Sequence, residues 1–227
     1  MIRFFFFVFF SLLPTICVLS QNLKTQGSNL KDDNSSNVIL KGINLGGWML
    51  QEPYMLQFVG AAGSQHESKQ KLEQFIGQEN TDNFYQSWLE NFITEADIQS
   101  LASLGFNSVR LPMHYNLFTL PIQDEPVSNQ NTWINTGFDL VDNLLDWCSQ
   151  NNMYLILDLH AAPGGQGYGS DINDYNPNLP SLWESEENKN KTISNESHLN
   201  HTDNKLSQFL YVQYLKGVYW NDKRKNR

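Results

Sequence analysis

Cysteine is nearly missing from these 227 residues, occurring only at positions 17 and 148. A multi-disulfide scaffold and a cysteine-built zinc module are therefore excluded, and core burial has to supply the stability. Basic residues are also scarce, with 15 Lys and Arg against 24 Asp and Glu and a net charge of −9. An acidic chain is a poor match for nucleic acid or an anionic membrane, and a neutral polysaccharide suits it better. Beyond residue 20 no stretch is long and apolar enough to span a bilayer.

The N-terminal segment does have an apolar run. Arg3 precedes Phe4 to Leu13, and Val18 and Ser20 lead to Gln21. That is the layout of a secretory signal peptide over residues 1–20, with an uncleaved anchor as the alternative. Its removal takes Arg3, the segment's only charge, and shifts the net charge from −9 to −10. Cys17 leaves with it, and Cys148 is expected as a small buried thiol on the apolar face of a helix. The expected destination is secreted, with no membrane contact after cleavage. Asn-x-Ser/Thr tripeptides at Asn34, Asn190, Asn195 and Asn200 mark glycosylation candidates, and their clustering from Asn190 implies an exposed segment.

Residues 21–37 are polar and are expected to form a linker. Val38–Leu45 is expected as a buried strand ending at Gly46-Gly47. Helical spacing recurs from Glu67 to Leu104, and Ser108–Leu111 follows as a second strand. A loop over 116–135 then precedes a helix over Phe138–Cys148 and a third strand over Tyr154–Leu159. This alternation implies an α/β fold with a parallel sheet covered by helices. From 194 to 227 the character changes, and the spacing of Leu206, Phe209, Leu210, Tyr214, Leu215 and Val218 predicts a terminal helix.

Strand alternation puts Ser108 and Arg110 on one face of the second strand, and Ile156, Asp158 and His160 on one face of the third. Arg110 is suited to orienting a carboxylate, or else to a structural ion pair. His160 could bond a sugar hydroxyl or an acid, and His114 lies above the same strand ends as Arg110. A metal site from His66, His114 and His160 matches no ligand spacing, so no metal is expected. The loop Ala161-Ala-Pro-Gly-Gly-Gln-Gly167 lacks the Lys-Ser/Thr of a phosphate loop and is expected as a flexible active-site loop. Trp48, Tyr54, Trp133, Tyr168 and Trp183 could stack on sugar rings.

Three motifs together carry a resemblance: Lys41-Gly-Ile-Asn-Leu-Gly-Gly-Trp48, extended to Pro53, then Gly105 to His114, and Leu155-Ile-Leu-Asp-Leu-His160. They resemble glycoside hydrolase family 5, in particular its secreted exo-β-1,3-glucanase-like branch. The resemblance implies a (β/α)₈ TIM barrel of which about the first three βα units lie here, over residues 38–193, followed by an off-family tail. It implies that Arg110 supports the nucleophile, that His160 belongs to the active site, and that Glu52 contacts the terminal glucose; His114, which departs from the residue usual in the fungal exo-glucanases, and Trp48 are further substrate-binding candidates from their positions near the strand ends. It implies no cofactor, and a β-glucan or related polysaccharide as partner.

The family's retaining route needs two glutamates, one in an Asn-Glu-Pro after the fourth strand and one at the seventh. Neither is recognisable, so the chain is expected to be a truncated glycosidase, inactive alone. The alternative is a secreted, non-catalytic carbohydrate-binding protein.

Overall fold

The computed structural model describes residues 23–201, except Val59, together with the strand at residues 209–211. Two sheets are present among the described residues. The segment expected as a polar linker forms a small antiparallel sheet of β1 (Lys24–Gln26), β2 (Asn29–Lys31) and β3 (Asn37–Val38), in that order. Gly27, at φ 61°, turns the first hairpin. Asp32 closes the second turn, its Oδ1 accepting from Ser36 N at 2.8 Å and its carbonyl from Ser35 N. Local turn chemistry and a backbone ladder thus order a segment with little apolar content.

The main sheet is parallel, with β4 (Gly42–Asn44), β5 (Ser108–His114), β6 (Tyr154–Ala161) and β7 (Phe209–Tyr211) side by side in sequence order. β4 is shorter than the expected strand over 38–45, and its residues are exposed because it lies at an edge of this sheet. Burial instead begins at Leu45 and continues through Trp48, Met49 and Leu50. Gly42 sits where a Cβ would be 2.6 Å from Ser108 Oγ, so a side chain there would push the first two strands apart.

Three helices, α1 (Gln65–Ile76), α2 (Gln78–Asn91) and α3 (Glu95–Ser103), connect β4 to β5. Ser64 caps α1 by accepting from Glu67 N, and Thr94 with Asp97 makes a capping box on α3. Gly105, at φ 89°, ends α3, with Phe106 N donating back to Leu101 O. The helix α4 (Asn135–Gln150) joins β5 to β6 and buries Val141, Leu144, Leu145 and Cys148 against the sheet. Burial pushes the Cys148 thiol up to about 12, so it is a packing residue rather than a nucleophile.

Between β6 and β7 come the short α5 (Ser170–Asn173) and α6 (Glu186–His201). The boundary expected at 193/194 falls inside α6, whose inward face is polar, with Lys191, Thr192 and Asn195 buried beside Leu199. Lys191 Nζ pairs with Glu125 in the 116–135 loop, and Thr132 N reaches both Glu125 oxygens at 3.2 and 3.0 Å. Helix and long loop therefore hold each other.

Asn195 is fully buried, donating to Thr119 Oγ1 at 3.3 Å and Lys191 O at 3.0 Å. It is not an accessible glycosylation site, and the segment from Asn190 is not uniformly exposed. Asn34 and Asn190 are exposed, although Thr192 of the second tripeptide is buried. Nothing is described of the Asn200 side chain, and residues 1–22 lie outside the described part.

The helix expected over 206–218 is also corrected where the chain is described. Residues 209–211 pair with β6, with Leu155 opposite Phe209 and Leu157 opposite Tyr211. An open strand edge offers unpaired donors and acceptors that helical spacing of apolar residues does not outweigh. Four consecutive parallel strands with helices between them make an open part of a (β/α)₈ barrel, and no closed barrel forms among the described residues.

Candidate active site

In barrels of this kind the C-terminal strand ends carry the chemistry. Three adjacent strands bring polar side chains together there. Asn44 ends β4 opposite Arg110 of β5, and its Oδ1 accepts from Arg110 NH1 at 3.0 Å. The other terminal nitrogen, NH2, pairs with Asp158 Oδ2 of β6 and lies 3.1 Å from His160 Nδ1. His160 Nδ1 is in turn 2.9 Å from Asp158 Oδ2. Asp158 is almost wholly buried, whereas 36% of the Arg110 side chain remains accessible. The Asp158 Oδ1 atom is buried without a partner, one lone pair short of satisfaction.

Arg110 and His160 are thus brought together as expected from strand alternation. Asp158 and Asn44 had no assigned role. Both sit inside the quoted motifs, and the signal for Asp158 was an acid two residues before a strand-end histidine.

Glu52 lies close by but is nearly inaccessible, with Oε2 accepting from the Tyr54 hydroxyl at 2.9 Å. That bond raises the Tyr54 pKa above its ordinary value, with burial and the Glu52 charge adding to it. A sugar hydroxyl approaching this Glu52 oxygen would share it with Tyr54.

Trp48 is not available for stacking. It is 1% exposed in the core, and Nε1 donates to Leu89 O at 2.8 Å. The Gly46-Gly47 turn carries it inward beneath α2, where apolar area outweighs any role at the rim. Trp133 stacks on His198 at 4.0 Å, and Trp183 donates to Gln166 O at 2.8 Å. Tyr168 is 80% exposed and meets Tyr175 edge-on at 5.4 Å.

His114 is likewise not free to bind substrate. Its Nδ1 accepts from Asn116 N at 3.1 Å, which leaves the proton on Nε2, and Nε2 donates to Asp174 Oδ2 at 3.0 Å. The other Asp174 oxygen takes the backbone N–H and the ring Nδ1 of His66, each at 2.8 Å. Burial pushes the Asp174 carboxyl up, but the bonds from His114 and His66 outweigh it and hold the group well below the carboxylate range. The Asp174 bond raises the His66 pKa above 6.5, although burial opposes this.

The three histidines do not converge on one point. His66 and His114 face Asp174, while His160 faces Arg110 and Asp158. Ser64 Oγ is 2.9 Å from His66 Nδ1, yet this is no nucleophilic triad, because serine and aspartate approach the same ring nitrogen and Ser64 is buried as the cap of α1.

The loop after β6 is packed rather than flexible. A Cβ on Gly164 would be 2.4 Å from Asn188 Nδ2 and 2.7 Å from Pro180 O. Gln166 bridges the turn, bonding His160 O and accepting from Ala162 N at 3.1 Å, and Leu182 N donates to Gly165 O at 3.0 Å.

A model of the cellulase family, glycosyl hydrolase family 5, matches residues 65–209. The chain belongs to glycosyl hydrolase family 5. The family match runs past residue 193, through α6 and into β7. Among similar proteins are a beta-xylosidase of Phanerodontia chrysosporium, 34% identical over 75% of this chain and 34% of its own length, and a glucan 1,3-beta-glucosidase of Candida oleophila, 32% identical over 68% and 36%. A probable glucan endo-1,6-beta-glucosidase B of Aspergillus fumigatus is 32% identical over 63% of this chain and 35% of its own length. The chain spans about a third of the length of these curated relatives.

The rutinosidase structure from Aspergillus niger superposes with a TM-score of 0.56 at 23% identity, covering 75% of this chain and 47% of that one. A second structure, AoRut, gives 0.59 at 20% identity, covering 76% and 47%. These likenesses bear on the fold alone. Among the described residues no helix is long and apolar enough to cross a membrane.

Proposed function

We propose that this chain provides the substrate-recognition side of a family 5 glycoside hydrolase acting on β-glucan by the retaining route. The convergence of Asn44, Arg110, Asp158 and His160 from three neighbouring strand ends supports this most directly. Arg110, with 36% of its side chain accessible, is placed to orient an acidic group or a sugar oxygen, and His160 offers its remaining ring nitrogen to a hydroxyl. The relatives named for 1,3- and 1,6-glucans support a glucan as substrate.

Retaining cleavage needs two carboxyl groups about 5–5.5 Å apart, one protonating the leaving oxygen and one attacking the sugar. Asp158 is tied to Arg110, Glu52 to Tyr54 and Asp174 to two histidines. After β7 the sequence continues Val212-Gln213-Tyr214, and Glu196, within α6, is the last glutamate. The proposed role of these 227 residues on their own is to bind glucan without cleaving it. Secretion through residues 1–20 and glycosylation at Asn34 and Asn190 belong to the same proposal.

The test measures reducing-sugar release from β-1,3-, β-1,6- and β-1,4-glucans, and glucan-oligosaccharide binding, for the 227-residue chain and any longer product of the same gene. Binding weakened by Arg110→Ala and His160→Ala is expected, with cleavage only by a longer product. Cleavage by the chain alone overturns the non-catalytic half of the proposal, and absence of binding overturns the other half. Binding with no cleaving product from the gene would make it a carbohydrate-binding protein, the second possibility.

A further inference from the structure

The loop between β6 and α6 covers residues 162–185 and reaches across to α1 and β5 through one residue, Asp174. Its carboxylate is 10% exposed and receives three donors, the backbone N–H and Nδ1 of His66 and Nε2 of His114. Asp174 is also held in left-handed backbone geometry, φ 55° and ψ 31°, at the end of α5. Asp tolerates that region at some cost, so contacts elsewhere must maintain it. Ser170 Oγ adds a second tie, donating to Gly63 O at 3.2 Å just before α1.

This junction is continuous with the proposed site. Gln65, beside His66, accepts from Gln51 N at 2.7 Å, and Tyr85 of α2 donates to Gln51 Oε1 at 2.8 Å, which holds the strand-end segment that carries Glu52. From the other side, Gln166 of the same loop bonds the backbone carbonyl of His160, so the loop lies beside the Arg110 cluster, with Tyr168 exposed upon it.

We propose that Asp174 is a positioning residue: clasped between His66 and His114, it fixes the β6–α6 loop as a wall of the strand-end site beside Glu52 and Tyr54. The wall bounds the saccharide site proposed above and rests on that assignment for its purpose, but its rigidity does not.

The clasp is pH-dependent in a defined sense. The raised His66 value means its charged bond is fully present below pH 6.5 and is lost as pH rises through the raised value. The lowered Asp174 value means its contribution is present above pH 3.8 and is lost only in stronger acid. The other ionisable groups acting on the pair are Glu67 on α1, Tyr85 on α2 and Tyr115 after β5. Burial raises both tyrosines, Tyr85 to about 12, so they remain neutral across this range. The clasp is thus tightest in mildly acidic solution.

Amide hydrogen exchange of the whole chain, corrected for intrinsic rates and followed at about pH 5.5 and about pH 8.5, tests this. In the wild type the amides of residues 167–179 are expected to be better protected at the lower pH, while those of β6 do not change. In Asp174→Asn the loop amides are expected to exchange roughly tenfold faster with β6 unaffected. Equal loop protection in wild type and variant overturns the proposal.

If Asp174→Asn does not fold, His66→Ala decides, since His66 is partly exposed and removes one partner only. A faster loop at the lower pH with the difference shrinking at the higher pH supports the clasp, and no difference at either pH overturns it. A chain with this exchange pattern that binds no glucan keeps the clasp and loses the saccharide assignment.

Discussion

Two aspartates at the same end of the sheet meet opposite fates. Asp174 has donors on both oxygens and a carboxyl pKa held well below normal, so its cluster is closed and satisfied. Asp158 is more deeply buried yet has one oxygen without a partner, beside an arginine that is more than a third accessible. A closed cluster can hold a loop in place, whereas an open one leaves arginine donors and an imidazole facing outward for a ligand. Burial alone does not separate structural from binding residues. What separates them is whether every donor and acceptor is already used.

The largest effect is expected at the closed cluster. Asp174→Ala strands three donors, and since hydrogen bonds to charged groups contribute about 1.5–3 kcal/mol each and do not add fully, a loss of about 3 kcal/mol is expected in urea unfolding. A loss below about 1 kcal/mol would erase the contrast. Asp158→Asn leaves Arg110 and His160 without their counter-charge. Because Arg110 is partly solvated, the cost is expected to be smaller, about 2 kcal/mol by the same measurement.

Arg110→Lys sharpens the comparison from the binding side. It keeps the charge but loses the fork that spans Asn44 and Asp158, so stability should change by less than about 1 kcal/mol while glucan-oligosaccharide affinity, measured by calorimetry, falls roughly tenfold. Equal losses in stability and binding would place Arg110 with the structural residues. The smallest effect concerns pH. The stability difference between wild type and His66→Ala is expected to be about 1 kcal/mol near pH 5.5 and to shrink towards pH 8.5, as His66 loses its proton in the folded state.

Legibility of these features varied with the range of the interactions that create them. β5, β6 and the helices before them were readable because apolar period and glycine stops act within a few residues, as at Gly105. Arg110 and His160 could be placed at strand ends by alternation alone. The segment expected as a linker over 21–37 forms strands because hairpin turns and a backbone ladder compensate for missing apolar side chains, and residues 209–211 form a strand because an open β6 edge outweighs helical spacing. Trp48 points into the core rather than to the rim because the turn before it carries it inward. Asn195 is buried because α6 docks on the 116–135 loop, a contact between segments distant in sequence.

The sequence by itself determined the parallel α/β architecture, the family resemblance through its three strand motifs, and the positions of Arg110 and His160, since these rest on local periodicity and short motifs. Only the tertiary structure decided that Asp158 accompanies them, that Glu52 is engaged by Tyr54, and that His114 and His66 serve Asp174. His66 and His114 are 108 and 60 residues from Asp174. No local pattern encodes such a meeting, because it exists only once strand ends and loops have been packed together and each buried polar atom has had to find its partner.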